Sequence, residues 1–109
     1  MIKNALFVRL EAKAGKEKEV AQFLQAGLGL AQQQVTTPVF FALQLGPSTF
    51  GVFDAFADEA GRQAQLNGPI AQALAANAPK LLAQTPSIER IDVLGAKLPD
   101  RSLHEGTMK

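Results

Sequence analysis

Apolar and polar residues alternate first with a strand period and then with a helix period. Residues 4–11 alternate every second position, which predicts a strand. Apolar residues between Val20 and Ala31 recur at helical spacing and predict an amphipathic helix with a single apolar stripe. We expect this helix to fade among the glutamines 32–34 and to end before Pro38.

Two strands are predicted in the middle of the chain, over residues 39–45 and 49–56. The three residues 46–48 (Gly-Pro-Ser) between them form a turn, which indicates a hairpin. Both strands are almost entirely apolar on both faces, and this pattern is typical of strands that are covered on two sides.

A helical region in two parts follows the hairpin. Asp58 suits an N-cap and predicts a short helix over 59–66, which stops at Asn67-Gly68. Pro69 suits the first position of a second helix. Pro79 is expected to end or kink that helix, because proline has no N–H to donate.

A last strand is predicted over residues 87–94. The order β-α-β-β-α-β predicts an α+β, ferredoxin-like fold, an antiparallel sheet with helices on one face. We expect one domain over 1–98 and a polar, mobile tail over 99–109. Because helices cover only one face of this sheet, a second copy of the chain is the simplest partner for the other.

Composition narrows the classes of function. The chain of 109 residues carries 11 basic and 10 acidic residues, and this near balance argues against a nucleic-acid-binding face. No apolar run approaches the roughly 20 residues of a membrane helix, and a cytoplasmic protein is expected. Hydrophobic residues make up 47% and charged residues 19%, below the average of about 25%. This surplus predicts burial against a partner or around a small apolar or aromatic ligand.

The run 49–60 resembles the antibiotic biosynthesis monooxygenase family. Asp54 and Phe56 match the acidic and aromatic positions that end the family's third strand, and Asp58-Glu59-Ala60 matches its helix start. Ala14-Gly15-Lys16 matches the turn after its first strand, and the resemblance extends over residues 4–98. It implies a dimeric α+β barrel that joins two sheets face to face. It also implies a pocket between sheet and helices, and oxidation of quinols, anthrones or other phenolics by dioxygen with no metal or flavin cofactor.

The chain departs from the family at two positions. Gln65 and Ile70 stand where the family commonly has histidines. The chain has no Trp, and its one histidine is His104 in the predicted tail, so the resemblance to haem-degrading relatives fails. With one histidine and no cysteine, no metal-ligand spacing is present either.

Four polar residues are candidates for catalysis. Asp54, in an otherwise apolar strand, is the candidate general base. Gln65 could orient a phenol or carbonyl, while Asn4 and Arg9 on the first strand could hold an oxyanion. Structural roles stay open for all four: Asp54 could pair with Arg9 or Arg90 across the sheet, and Gln65 could be solvated.

A dry substrate pocket is predicted from apolar side chains, because radical intermediates must be protected from water. The candidate substrate-binding residues are Phe7, Phe23, Phe41, Phe53, Phe56 and Ile70. Each phenylalanine could equally belong to the core or to an interface.

Three functions follow from these features. The first is a cofactor-independent monooxygenase that acts on a small quinol or phenolic substrate. The second is a non-catalytic small-molecule-binding or stress-response dimer with the same fold. The third is an isomerase on a related dimer, which would need no oxygen.

Overall fold

The computed structural model describes residues 1–99, and within them it contains one four-stranded antiparallel sheet with helices on one face. This architecture confirms the predicted α+β fold. His104 and the predicted tail beyond Pro99 lie outside the described residues. The elements in chain order are β1 (Asn4–Glu11), α1 (Glu17–Ala31), β2 (Val39–Gln44), β3 (Thr49–Phe56), α2 (Glu59–Leu66), α3 (Pro69–Leu81) and β4 (Ser87–Asp92).

The strand order β2-β3-β1-β4 places β1 and β3 at the centre of the sheet. Leu6 on β1 lies opposite Asp54 on β3 and opposite Arg90 on β4, while Phe40 on β2 lies opposite Asp54 on its other side. Directly opposed residues point to the same face of a sheet. The register therefore places Asp54 among apolar neighbours on the face that the helices cover.

The β2–β3 connection is the predicted hairpin. Backbone amides of Leu45 and Gly46 both donate to the carbonyl of Thr49, at 2.8 and 3.1 Å. The Thr49 hydroxyl donates to the Glu11 carboxylate at 2.9 Å and so ties the start of β3 to the end of β1. These contacts hold the hairpin in register with the central strand.

The break between α2 and α3 also lies where the sequence predicts it. The Asp58 carboxylate accepts a hydrogen bond from the backbone N–H of Gly61 at 2.9 Å and caps α2. A Cβ at Gly68 would lie 2.9 Å from the carbonyl oxygen of Ala64, so only glycine allows this approach without a shift. Pro69 then begins α3 at its first position.

Three element ends differ from the prediction, and the first is that of β2, which ends at Gln44 and not at residue 45. Helix α3 continues through Pro79 to Leu81, since burial of Leu81 and Leu82 and a 2.8 Å bond from the amide of Leu82 to Ala78 hold the last turn. Strand β4 ends at Asp92 and not at residue 94.

The core lies between the helix-covered face and the helices. Leu10, Val20, Leu24 and Phe50 are almost fully buried in one cluster that also contains Leu81. Within residues 1–99, no helix is both long enough and apolar enough to span a membrane.

The opposite face of the sheet carries Phe7, Phe41 and Phe53, which share a side because they are register partners. The Phe41 side chain is 53% exposed in the single chain. We call this surface the open face. No described segment covers Phe41, so the predicted second copy remains a prediction.

Candidate active site

A small cavity lies between the helix-covered face of the sheet and the three helices. The backbone of α3 packs against α1 and α2 but approaches no strand closely, which leaves space beneath it. The cavity has a volume of about 60 Å³, room for several water molecules, since about 10–15 Å³ suffices for one. Its walls are carbon apart from Asp54 and Gln65, and they comprise Leu6, Val8, Leu10, Phe23, Leu24, Gly27, Phe40, Val52, Asp54, Gln65, Leu66, Ile70, Ala71, Leu74 and Ile88.

A surface groove of about 500 Å³ adjoins the cavity. It runs between α3 and the segment that leads into β4. Ala71, Leu74 and Ile88 line both spaces, so the groove and the cavity share one wall. A ligand larger than the cavity could extend along it.

Asp54 and Gln65 meet at the wall of the cavity. Their side chains are 2% and 6% exposed, and Gln65 Nε2 donates to Asp54 Oδ2 at 2.8 Å. The strand register sets the position of Asp54, while the Asp58 cap sets the start of the helix that carries Gln65. The pair thus depends on α2 lying against β3 in one particular position.

Burial is the main influence on the acidity of Asp54. Loss of solvent raises the pKa of Asp54 from 3.8 to about 6, and the hydrogen bond from Gln65 opposes this rise. At neutral pH the carboxylate is therefore mostly ionised, yet it is a far better proton acceptor than an exposed aspartate. A general base works best when its pKa lies near the working pH.

Two oxygen atoms of this pair have no partner. Asp54 Oδ1 and Gln65 Oε1 are buried and accept no hydrogen bond from any group in residues 1–99. Buried polar atoms are nearly always paired, so each exception needs an explanation. Since both residues line the cavity, a hydrogen-bond donor inside it is the natural complement.

Arg62 fixes α2 one helical turn before Gln65. Its buried guanidinium donates through Nη1 to the carbonyl oxygens of Ala5 and Ile91, at 3.2 and 3.1 Å, and through Nη2 to Glu59. Helix α2 is thereby joined to β1 and β4. Sequence reasoning missed this contact, because an Arg three residues after a Glu has the pattern of a solvated helix pair.

The cavity brings together four of the predicted site residues. Asp54, Gln65, Phe23 and Ile70 all line it. Phe56 is fully buried on the same side of the sheet but does not line the cavity.

The other predicted residues lie elsewhere. Asn4 is opposite Phe56 near the start of β1 and away from the cavity. Arg9 lies on the open face, as the register partner of Gly51. Neither Asn4 nor Arg9 therefore lines the cavity beside Asp54.

Phe7, Phe41 and Phe53 likewise lie on the open face. The period of two already excludes them: Phe53 adjoins Asp54 in a strand, so the two side chains point to opposite faces.

The structure contains neither of the ion pairs suggested for Asp54, with Arg9 or with Arg90. Arg9 lies on the other face, and the ion pair that the structure gives Arg90 is with Glu59 at 3.9 Å. Gln65 is the side-chain partner instead.

Most of the cavity wall was not predicted. Phe40 was expected to contribute to an apolar pocket, and the residues missed are Leu6, Val8, Leu10, Leu24, Gly27, Val52, Leu66, Ala71, Leu74 and Ile88. The strand members could have been found by taking the positions that share a face with Asp54. Among residues 1–99, no group of three or more His, Cys, Asp or Glu side chains is placed to hold a metal ion.

Comparison with known proteins identifies one near relative and a wider set with the same fold. No protein-family model and no curated sequence matches the chain. The NE2512 protein of Nitrosomonas europaea, of unknown function, is 62% identical over 92% of this chain and 97% of its own, with a TM-score of 0.89.

Two further structures are provisionally named antibiotic biosynthesis monooxygenases. The one from Nitrosomonas europaea has a TM-score of 0.75 at 13% identity, over 84% of this chain and 90% of its own. The one from Deinococcus radiodurans has a TM-score of 0.72 at 16% identity, over 89% and 98%. This chain therefore belongs to the same family as the NE2512 protein and has the fold of the antibiotic biosynthesis monooxygenases.

Proposed function

We propose that this protein is a cofactor-independent monooxygenase that oxidises a small quinol or other phenolic substrate with dioxygen. The observation that carries this proposal is the buried Asp54 carboxylate, whose Oδ1 has no partner and whose residue lines an apolar cavity. Structures of the same fold with monooxygenase names agree with it at the level of the fold.

Asp54 acts as the general base in this proposal. Its carboxylate accepts the proton of a substrate hydroxyl and leaves an electron-rich phenolate, which can donate an electron to dioxygen. The apolar walls keep water away from the resulting radical pair. Gln65 Nε2 holds the carboxylate in place through its 2.8 Å hydrogen bond.

The overall reaction needs no external reductant. A hydroquinone and one dioxygen give a hydroxyquinone and one water, so one oxygen atom enters the ring and the other leaves as water. The substrate loses four electrons and dioxygen gains four. An anthrone behaves in the same way, because its CH₂ group becomes a carbonyl and its two hydrogens leave in the water.

One observation favours the second candidate, a non-catalytic binding protein. Neither Asn4 nor Arg9 lines the cavity, so among the residues that do, only the Gln65 amide offers side-chain N–H groups, and one of its two hydrogens is donated to Asp54. An oxygenase gains from donors aimed at the developing oxyanion. A protein that only binds a hydroxylated aromatic has no such need.

Oxygen uptake by metal-free protein with a panel of hydroquinones and anthrones tests the activity. We expect uptake above the uncatalysed rate, and a reduction of about 10²–10⁴-fold in Asp54→Asn, as for loss of a general base. Asp92→Asn, which removes an exposed carboxylate at the end of β4, is the matched control and should keep full activity. Tight binding without uptake would instead support the binding protein.

We further propose that a second copy of the chain covers the open face, by sheet-to-sheet contact. The half-buried Phe7 and Phe53 and the exposed Phe41 support this, since such apolar surface is usually covered. Light scattering should give twice the chain mass for the wild type and for Val35→Asp, which changes an exposed residue outside the sheet. Phe41→Asp should give a monomer, and a monomeric wild type would overturn the proposal.

A further inference from the structure

The cavity is too small to enclose an aromatic ring. Its volume is about 60 Å³, whereas an engineered protein cavity that binds benzene has a volume of about 150 Å³. Asp54 Oδ1 and Gln65 Oε1 are unpaired acceptors of residues that line it, so a hydroxyl group is the part of a ligand that suits this space. The rest of a phenolic ligand therefore needs room outside the cavity.

The groove between α3 and the segment that leads into β4 offers this room. Ala71, Leu74 and Ile88 form the wall that the groove shares with the cavity. Ile88 is the register partner of Val8 on the helix-covered face, yet it is 51% exposed. Because the backbone of α3 approaches no strand closely, side chains and not packed backbone fill the gap between α3 and β4.

The cavity and the groove differ in the side chains that line them. Phe23 and Phe40 give the cavity two aromatic side chains, in addition to its polar pair. The groove has no aromatic and no charged side chain, and its polar side chains are those of Gln84 and Thr85. Its other lining residues are alanine, leucine, isoleucine and proline. The cavity therefore suits an aromatic ring, and the groove suits an uncharged aliphatic group.

We infer that the cavity and the groove form one ligand site, and that its ligand is an uncharged phenol or hydroquinone with an aliphatic chain. The hydroxyl donates to Asp54 Oδ1, and the chain lies along α3 in the groove. The ring lies between them, where the half-exposed Ile88 side chain turns aside to admit it. Rotamer changes of exposed side chains take only picoseconds to nanoseconds, so this movement does not limit binding.

The role of Asp54 in this site rests on the proposed function, and the chain describes the substrate class of that function more closely. A chain held in the groove keeps the ring in one orientation beside Asp54. Oxidation is then confined to one ring position relative to the chain, since a fixed geometry favours one reaction path. The chain also supplies affinity to a site that has a single pair of polar side chains.

The test measures how affinity depends on chain length, with phenol, 4-ethylphenol, 4-butylphenol and 4-hexylphenol as ligands. Dissociation constants are measured by calorimetry under nitrogen, so that no ligand is oxidised. A fully buried methylene group contributes up to about fourfold in affinity, and a chain in a surface groove is only partly buried. We expect the affinity of the wild type to rise about 30-fold or more from phenol to 4-hexylphenol.

Two adjacent alanines of α3 provide matched variants. Ala75 and Ala76 are both exposed, but Ala75 lines the groove and Ala76 lines neither space. Ala75→Glu places a carboxylate beside the chain, so the rise from phenol to 4-hexylphenol should shrink to about fivefold or less. Its affinity for phenol should stay within about twofold of the wild type, because phenol has no chain. Ala76→Glu should retain the full rise.

A variant in the cavity should affect the ring and leave the contribution of the chain unchanged. Gly27 lines the cavity but not the groove, and a Cβ there would lie 3.7 Å from Phe40 Cζ. The added methyl group takes space from a cavity that is already small. Gly27→Ala should therefore weaken binding of phenol and of 4-hexylphenol by the same factor.

Three results would overturn the inference. They are an equal rise with chain length in Ala75→Glu and Ala76→Glu, unchanged phenol affinity in Gly27→Ala, or a lower mass by light scattering for Ala75→Glu alone, which would make the groove a protein contact. Protein that oxidises hydroquinones without any effect of chain length would keep the proposed function and reject this ligand class. Chain-dependent binding without oxygen uptake would support the inference and reject the monooxygenase.

Discussion

The two faces of the sheet use nearly the same residue types in opposite ways. On the helix-covered face Leu6, Leu10 and Phe56 are almost completely buried, and the face also contains Asp54. On the open face Phe41 is more than half exposed, and the charged Arg9 is exposed as well. The carboxylate thus lies where ionisation is costly, while the guanidinium lies where it is solvated.

This contrast separates a functional polar residue from an ordinary one. A charge on an open face needs no special explanation, because water or a partner can solvate it. Asp54 has been placed where burial raises its pKa to about 6 and where one oxygen has no partner. Such an arrangement reduces stability at neutral pH, and residues of this kind concentrate at functional sites.

The largest expected difference between the faces is in how much their packed side chains contribute to the free energy of unfolding. Phe56→Ala on the helix-covered face should lower the free energy of unfolding by about 3–5 kcal/mol, the usual cost of emptying a buried phenylalanine site. Phe41→Ala on the open face should lower the free energy of unfolding by clearly less than this, when both are measured at the lowest protein concentration. Urea unfolding followed by far-ultraviolet circular dichroism measures both, since the chain has no Tyr or Trp.

The same pair tests the proposed second copy. If the open face is covered in a dimer, the unfolding midpoint of the wild type should rise with protein concentration, and Phe41→Ala should weaken that dependence. If Phe56→Ala and Phe41→Ala lowered the free energy of unfolding equally at every protein concentration, the two faces would not differ in packing.

The second prediction concerns the ionisation of Asp54. Its pKa is higher in the folded chain than the ordinary 3.8, so the stabilisation from its protonated form is complete below pH 4 and is lost as pH rises through about 6. Asp54→Asn does not titrate. Relative to the wild type it should gain about 2.4 kcal/mol in free energy of unfolding between pH 4 and pH 8.

Urea unfolding midpoints at pH 4, 6 and 8 check this value. Asp92→Asn is the control and should follow the wild type across the range. A constant difference between Asp54→Asn and the wild type at all three pH values would contradict the raised pKa.

The third prediction tests what holds the helices on their face. Arg62→Met leaves the carbonyls of Ala5 and Ile91 without this donor and should cost about 1–3 kcal/mol, the usual range for a buried group that loses its partner. Arg90→Met removes an exposed guanidinium whose ion pair spans 3.9 Å, and it should cost less than about 1 kcal/mol. Thermal unfolding at constant pH compares the two, and equal effects would argue against the buried contact.

The smallest effects are expected at two glycines of α1. Gly27→Ala and Gly29→Ala should each stabilise the helix by up to about 1 kcal/mol. A Cβ at Gly27 would lie 3.7 Å from Phe40 Cζ in the cavity wall, whereas one at Gly29 would meet nothing within 4 Å. Only Gly27→Ala should therefore weaken binding of a hydroquinone, measured by calorimetry, and equal binding by both variants would place the ligand elsewhere.

Local signals explain which parts of the fold could be predicted. The capping carboxylate of Asp58, the glycine at 68 and the proline at 69 act on the backbone within a few residues, so the α2–α3 break followed from the sequence. Pro79 shows the limit of such signals, because burial of Leu81 and Leu82 carries the helix past it. Strand β4 ends two residues earlier than predicted, at Asp92.

The site was predictable only in its ionisable centre. Asp54 is a carboxylate in an otherwise apolar strand, and its importance could be inferred from the free-energy cost of burying a charge there. Its partner Gln65 lies eleven positions away on a helix, and its role depends on how α2 lies against the sheet. Of the predicted wall, Phe7, Phe41 and Phe53 alternate to the other face and do not line this cavity.

The sequence by itself determined the order of the elements and which residues of a strand share a face, because both follow from local geometry with periods of 3.6 and two. It could not determine which face the helices cover, because β3 is apolar on both sides. Only the tertiary structure decided this, through the register of β1 against β3 and the contact of Arg62 with two strands. That choice places Asp54 in the wall of an apolar cavity and leaves Arg9 on the other face.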